Sequence, residues 1–567
     1  MFSPALRATA TTLLALFVSG VHSAPPQTRA ALSCTSSSFT NVVTLPGVTV
    51  TIESAVTKSG TYQESGNLGF PQQIDLLPSL CVVIVKVTNT SDVPIKPQSS
   101  YRFGMFLPTA AKWNNKIMTV GSASFAGGIN WPDMGEPVHY GFATISTDNG
   151  HSSNGSDLSW VTPARLYDWG YRAVHGSVVV GKLLTAHYYG KDITYSYYSG
   201  CSTGGRQGLR EIQNDANAFD GALIGAPAWD TVHLMPWISK MAYYQLNNTN
   251  GRLGTDQLNI LVSEVLSQCD FQDGQTDRVV SKPEQCNFDI SQITCSDPSR
   301  CLSSAQAQTA MHIWGDYTVN GRLASHGFTI GSEDQWPVYF GDDSTLTGFD
   351  FSYERLWINN NSAYKWQDYT DQAVSDSETV NPGQATANRF ADMSSYRTRS
   401  VGKKGGKILM YHGLADGLIP PKASLQFYNQ TMAATSGADT LDDMRAWFRY
   451  FEVPGMQHCF FTNARFNAPW YFAGSGQATQ LRLLPYLGIR PARGDGWSVP
   501  NHLNDSSYDA LAALMQWVEN DKPVEKVIAT AFNADFTVNR TRPICPYPQV
   551  ATYGSGNIND AASWRCA

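Results

Sequence analysis

The segment "SYYSGCSTGGRQGLREIQ", residues 196–213, sets Ser202 between glycines and directly after Cys201. Within it "GCSTG" is a G-x-S-x-G element, the pattern of a serine held on a sharp strand-to-helix turn. A serine hydroxyl is a poor nucleophile at neutral pH and needs a general base, itself oriented by a carboxylate. Downstream, "KILMYHGLADGLIPP" carries an apolar run and then Asp416, and "RYFEVPGMQHC" carries a second run and then His458. The order serine, acid, histidine suits a nucleophile, an orienting carboxylate and a base placed on loops at strand ends. His412 is a rival base, but it precedes the acid and directly follows its strand, and it reads as structural. Asp371, Asp392 and Asp505 are rival acids without a clear strand before them.

The elements that must position these groups follow a repeating rhythm. "CVVIVKVT" reads as strand, "NKIMTVGSASFAGG" as a buried strand running into a small-residue loop, and "DWGYRAVHGSVVVGKLLTAHYYG" as a helix with Asp168 near its start. "DITYSYYS" is a strand that ends at Ser202, "GRQGLREIQNDA" the following helix, and "FDGALIGAPA" a further buried strand. Strand, tight turn, helix, strand is the signature of a parallel α/β sheet. Together with the serine–acid–histidine order it predicts an α/β-hydrolase core. The rhythm lapses over residues 229–400 and resumes near residue 401, so the chain reads as core (24–228), large insertion (229–400) and core again (401–567). "SYDALAALMQWVEND" reads as the last helix.

An oxyanion hole needs two backbone N–H groups aimed at the developing charge. One falls to Thr203, the residue after the serine, and the loop "VGSASFAGG" offers Ser124 as the second.

Of 567 residues, 42% are hydrophobic and 15% charged, enough apolar material for a large core and too few charges for a disordered chain. A net charge of −7 gives no footprint for a nucleic-acid partner. Residues 1–23 read as a secretion signal cleaved before Ala24, and no later apolar run is long enough to span a membrane. Seven Asn-X-Ser/Thr sequons begin at Asn89, Asn154, Asn247, Asn360, Asn429, Asn504 and Asn539, which suits a glycosylated secreted protein.

Ten cysteines in such a chain predict five disulfides. Spacing favours Cys34–Cys81, Cys269–Cys286, Cys295–Cys301 and Cys545–Cys566, which leaves Cys201 and Cys459 for each other. That last bond would hold the nucleophile loop beside the base loop; the bland alternative is that each cysteine is an inert partner of another.

With Cys201-Ser202, Asp416 and His458-Cys459 in view, the chain resembles the tannase and feruloyl esterase family, whose mark is a Cys-Ser and a His-Cys pair joined by a disulfide beside a catalytic Asp. "YSYYSGCSTGGRQG", "YRAVHGSVVVGK", "FDGALIGAPA", "GKILMYHGLAD" and "ALMQWVEN" carry the likeness across residues 34–566. The resemblance implies a serine carboxylic ester hydrolase with an inserted lid. Its substrates would be esters of ferulic, p-coumaric or caffeic acid on plant-wall sugars, or gallate esters in the tannase branch. A binding protein that has lost catalysis is the alternative of another class, against which all three triad positions are filled.

In "CDFQDGQTDRVV", Asp270, Asp273 and Asp277 gather hard oxygen donors around Gly274 without the spacing of an EF-hand. By composition this is a solvated acidic turn or a metal loop. The resemblance implies a structural Ca²⁺ held by the side chains of Asp270, Asp273 and Asp277 and the backbone oxygens of Gln275 and Val279. Two departures from the family pattern stand out: Ala123-Ser124 where a Gly pair is usual, and the aromatic-rich excursion after His458, which either walls the site or covers the core.

Overall fold

A computed structural model describes residues 31–89, 98–297, 300–340, 351–381, 384–399, 405–463, 465–466, 468–479, 505–533 and 537–567. The leader expected at residues 1–23 and the sequon at Asn504 lie outside them.

Nine strands form one mixed sheet: β1 (Val48–Gln63), β2 (Gln73–Asn89), β3 (Ser99–Pro108), β4 (Lys116–Val120), β5 (Ala143–Thr147), β6 (Tyr195–Cys201), β7 (Gly221–Gly225), and, after a short hairpin of β8 (Tyr317–Val319) and β9 (Arg322–Ser325), β10 (Lys407–Gly413) and β11 (Phe448–Val453). Their order is β1-β2-β3-β5-β4-β6-β7-β10-β11. The first three strands and the β3–β5 pair are antiparallel. Every pairing from β5 to β11 is parallel.

The parallel strands are apolar on both faces because helices cover both faces. Alternate residues divide between two cores: Ile117, Tyr198, Ala222, Ile224, Ile408 and Met410 pack on one side, and Met118, Tyr197, Leu223, Leu409 and Tyr411 on the other. The helix Ala173–Tyr189 closes the first face, and the helices Trp131–His139 and Ala510–Asn520 close the second.

Between β7 and β10 the described chain adds no strand to this sheet. It builds a third core instead, in which Trp237, Leu261, Ile313, Trp336 and Tyr353 pack with Phe125, Trp169 and Ile419 of the sheet-bearing body. The inserted segment is therefore welded by apolar burial to chain that includes the loops after β4 and β10. Among the described residues no helix is long and apolar enough to cross a membrane.

All five expected disulfides are present: Cys34–Cys81, Cys201–Cys459, Cys269–Cys286, Cys295–Cys301 and Cys545–Cys566. The sequon asparagines Asn154, Asn247, Asn360, Asn429 and Asn539 are exposed, and Asn89 is half-buried.

Candidate active site

Ser202 follows the last residue of β6 and caps the helix Thr203–Asn214, with φ 62° and ψ −124°. A non-glycine residue holds that left-handed backbone only when its surroundings fix it. Here its N–H donates to Gly225 O, and its carbonyl accepts from Arg206 N and Ala228 N, each at 3.0 Å. The flanking glycines let strand and helix meet: a Cβ on Gly200 would stand 2.6 Å from Gly204 O, and one on Gly204 2.7 Å from Ser122 O.

The Cys201–Cys459 bond, with Cα atoms 5.9 Å apart, joins the serine turn to the histidine loop across 258 residues of chain. Cys459 also has positive φ, 62°, so the junction is rigid on both sides. His458 Nδ1 bonds Asp416 Oδ2 at 2.7 Å. With Nδ1 committed to the carboxylate, Nε2 is the nitrogen left for proton transfer.

Asp416 is fully buried and fully used. Leu418 N–H and Ile419 N–H donate to Oδ1 at 2.8 Å each, and Oδ2 accepts from His458 and from His412 Nε2, the latter at 2.9 Å. Burial alone would raise its pKa; the His458 charge and the bonds from His412 and His458 override burial and hold the carboxyl well below the usual range. His412 Nε2 faces two acceptors, Asp416 Oδ2 and Ile419 O at 3.1 Å, so it carries the proton, and Nδ1 accepts from the Ser424 hydroxyl at 2.7 Å. The histidine read as structural thus touches the acid directly. Its spacing of four residues before Asp416 was the available signal.

A second set of groups was not legible in the sequence. Gln335 Oε1, from the inserted segment, accepts Gly417 N–H at 3.0 Å and His458 N–H at 3.1 Å. Asp334 Oδ2 beside it accepts from Gln457 Nε2 at 2.7 Å and Asn463 Nδ2 at 2.6 Å. Thr329 and Tyr339 donate their hydroxyls to Leu414 O and Leu418 O. The insertion therefore fastens both the acid loop and the histidine loop.

Ser202, Thr203, Ser124 and His458 line one cavity of about 360 Å³. In the loop after β4, Ser122 N–H is spent on Gln207 Oε1 at 2.9 Å, whereas Ser124, at φ 51°, gives its hydroxyl to Gly155 O at 2.7 Å. The excursion after His458 does both things expected of it: Phe460 and Gly476 line the cavity, and Trp470 and Phe472 are buried in the second sheet core.

The acidic loop lies away from this cavity. Asp270 Oδ1 accepts the N–H groups of Asp277, Arg278 and Val279 at 2.8–3.2 Å, and Asp273 Oδ1 accepts Gln275 N–H at 2.9 Å. These bonds engage one oxygen of each carboxylate. Asp277 differs: Oδ1 accepts Val279 N–H at 3.1 Å and Oδ2 pairs with Arg542. The all-oxygen donor set suits calcium at Asp270, Asp273 and the carbonyls of Gln275 and Val279, while at Asp277 a guanidinium supplies positive charge. Among the described residues the trio of ligand atoms within 4.8 Å of one another is instead His175, Glu211 and Asp215, where His175 Nδ1 and Glu211 Oε1 share a hydrogen bond of 2.9 Å.

A family model described as tannase and feruloyl esterase matches residues 81–567, the stretch that holds Ser202, Asp416 and His458. The chain belongs to this family. A relative from Aspergillus fumigatus named "Probable feruloyl esterase B-2" is 31% identical over 471 residues, covering 80% of this chain and 82% of its own. The crystal structure of feruloyl esterase B from Aspergillus oryzae superposes with a TM-score of 0.77 at 25% identity, covering 94% of this chain and 100% of that one. The tannin acyl hydrolase from Aspergillus niger shares the fold, with a TM-score of 0.72 at 21% identity, covering 95% and 96%. The family's fold is thus an esterase fold of the α/β-hydrolase type, as the strand–helix rhythm and the serine–acid–histidine order predict.

Proposed function

We propose that the chain is a serine carboxylic ester hydrolase acting on esters of phenolic acids such as ferulic, p-coumaric and caffeic acid. The observation that carries this reading is the placement of Ser202 and His458 on one cavity, tied by Cys201–Cys459 and backed by Asp416, in a member of this family.

In the first half-reaction Ser202 Oγ bonds the ester carbonyl carbon as its proton passes to His458 Nε2. Thr203 N–H, with Ser124 N–H as the second donor, takes the oxyanion. Collapse breaks the bond to the alcohol, which leaves with the proton from His458, and an acyl-enzyme on Ser202 remains. Water then repeats the sequence and releases the acid. Asp416 stays ionised throughout, fixing the imidazole and stabilising its charged form.

The chain is further read as secreted through the leader at residues 1–23 and glycosylated at its sequons. Calcium at Asp270, Asp273, Asp277, Gln275 and Val279 would order the loop between Cys269 and Cys286, with Arg542 moving off Asp277 to admit it.

Turnover of methyl ferulate and methyl gallate by the wild type and by Ser202→Ala tests the reading. Release of ferulic acid by the wild type alone is expected, and preference for the gallate would reassign the chain to the tannase branch. Equal background release by both proteins would leave a binding protein.

A further inference from the structure

The far end of the helix that Ser202 caps gathers negative charge that the chain itself leaves poorly balanced. Glu211 lies in its last turn and Asp215 is its C-cap residue, and no basic residue occupies that turn. The carbonyl end of a helix carries partial negative charge, so two carboxylates there are disfavoured and a cation is favoured. Lys182, whose charge reaches Glu211, is held by the carbonyl oxygens of Asn217 and Ala218.

Glu211 is 1% exposed, and only one of its oxygens is used. Its Oε1 shares a hydrogen bond of 2.9 Å with His175 Nδ1, whereas Oε2 is buried with no hydrogen-bond partner among the described residues. A buried carboxylate oxygen left alone is costly until a positive group or a donor completes it. His175, from the helix Ala173–Tyr189, and Asp215 bring ligand atoms within 4.8 Å of the Glu211 carboxylate and of each other. Asp215 Oδ1 accepts Asn217 N–H at 2.8 Å, which engages one of its two oxygens. The His175 side chain is 43% exposed, so solvent reaches the cluster from one side. None of the three residues lines the cavity around Ser202.

An imidazole nitrogen with two carboxylates is a donor set for a borderline cation. The nitrogen selects zinc and its neighbours over calcium and magnesium, which take oxygen throughout. Three protein ligands leave a position for water, and the exposed side of His175 supplies the entry. A metal on Nδ1 displaces the proton of the bond to Oε1, and that proton leaves to solvent.

We infer that His175, Glu211 and Asp215 form a binding site for a divalent cation of the zinc class. The bound ion completes the buried Oε2 and clips the helix Ala173–Tyr189 to the end of the helix that positions Ser202.

The test titrates zinc chloride into the metal-free full chain by isothermal calorimetry, for the wild type, His175→Gln and Asp215→Asn. Glutamine keeps a donor for Glu211, and asparagine keeps an oxygen for Asn217 N–H, so the local bonds survive. Groups that merely support a metal ligand are worth about ten- to a hundredfold in affinity. Loss of a ligand should therefore weaken one zinc equivalent at least about tenfold in each variant. Identical isotherms for all three proteins overturn the site. Calcium chloride forms the second arm: variants that lose calcium binding and keep zinc would mark an oxygen-only site, and the inference fails. A third measurement needs no variant. Saturating zinc should block carbethoxylation of His175 in the wild type, mapped by peptide mass spectrometry, because the metal takes the ring's lone pair. Labelling that zinc leaves unchanged overturns the site.

Discussion

Gln335 Oε1 accepts the backbone N–H of His458 at 3.1 Å and that of Gly417, the neighbour of Asp416, at 3.0 Å. One amide oxygen from the inserted segment thus sets the spacing of the base loop and the acid loop. Gln335→Ala should lower kcat about tenfold to a hundredfold with KM little changed, because an ångström of drift at a catalytic group is expensive. Steady-state kinetics on methyl ferulate checks this. A variant with unaltered kcat would show that the two loops hold their geometry alone.

His412 shares Asp416 Oδ2 with the His458 imidazole. Replacing it by Phe removes one donor to the carboxylate, so the Asp416 pKa rises and the carboxylate protonates at higher pH. With the carboxylate held by one donor fewer, kcat at its plateau should fall about tenfold. Asp416→Asn, by contrast, should cost about 10⁴-fold at every pH. An unchanged kcat in His412→Phe would rule out this coupling.

Cys201 and Cys459 close a loop of 258 residues. In the chain-entropy model such a cross-link contributes about 5 kcal/mol. The Cys201→Ser, Cys459→Ser double variant should therefore melt at lower temperature, and kcat should fall about a hundredfold in whatever remains folded. Calorimetry and active-site titration separate the effects. A double variant with wild-type kcat would make the bond a stabiliser only.

Glu333 is fully buried between Gly331 N–H and the Trp314 indole, and burial pushes its carboxyl up to about 7. The folded state then holds a proton that the unfolded chain sheds near the ordinary value of 4.5. Stability from this group is complete below about pH 4.5 and is lost as pH rises through 7. Asp148 and Glu452, both raised to about 7 by burial, act in the same sense. Glu333→Gln should flatten the fall of Tm between pH 4.5 and 7, read by differential scanning calorimetry at several pH values. An unchanged slope would show that Glu333 ionises freely.

At a hundredfold excess over Kd calcium should stabilise the folded state by about 3 kcal/mol and so raise Tm, and chelation should lower it. Asp270→Ala should abolish the response. A Tm indifferent to both calcium and chelator would mean that Arg542 is the resident cation at Asp277.

The convergence of Ser202, Asp416 and His458 was legible because each follows the end of a strand, and short continuous apolar runs mark buried strands. Cys201 and Cys459 were legible by elimination, since the remaining cysteines lie close in sequence to their partners. Gln335 and Asp334 were not. A glutamine or aspartate in a stretch without periodicity carries no local mark, and its role arises only when chain 82 to 129 residues away folds against it. His412 lay between these cases: visible as a rival base, but with a partnership that depends on the tight turn after β10.

The attachment of Thr329, Asp334, Gln335 and Tyr339 to the loops around Asp416 and His458 bears on how this scaffold can be re-engineered. Chimaeras cut where the chain leaves and rejoins the sheet would transplant part of the catalytic frame together with the roof of the cavity. Grafts meant to alter substrate range alone should keep residues 329–339 from the recipient and exchange the helix that bears Leu234 and Ile238.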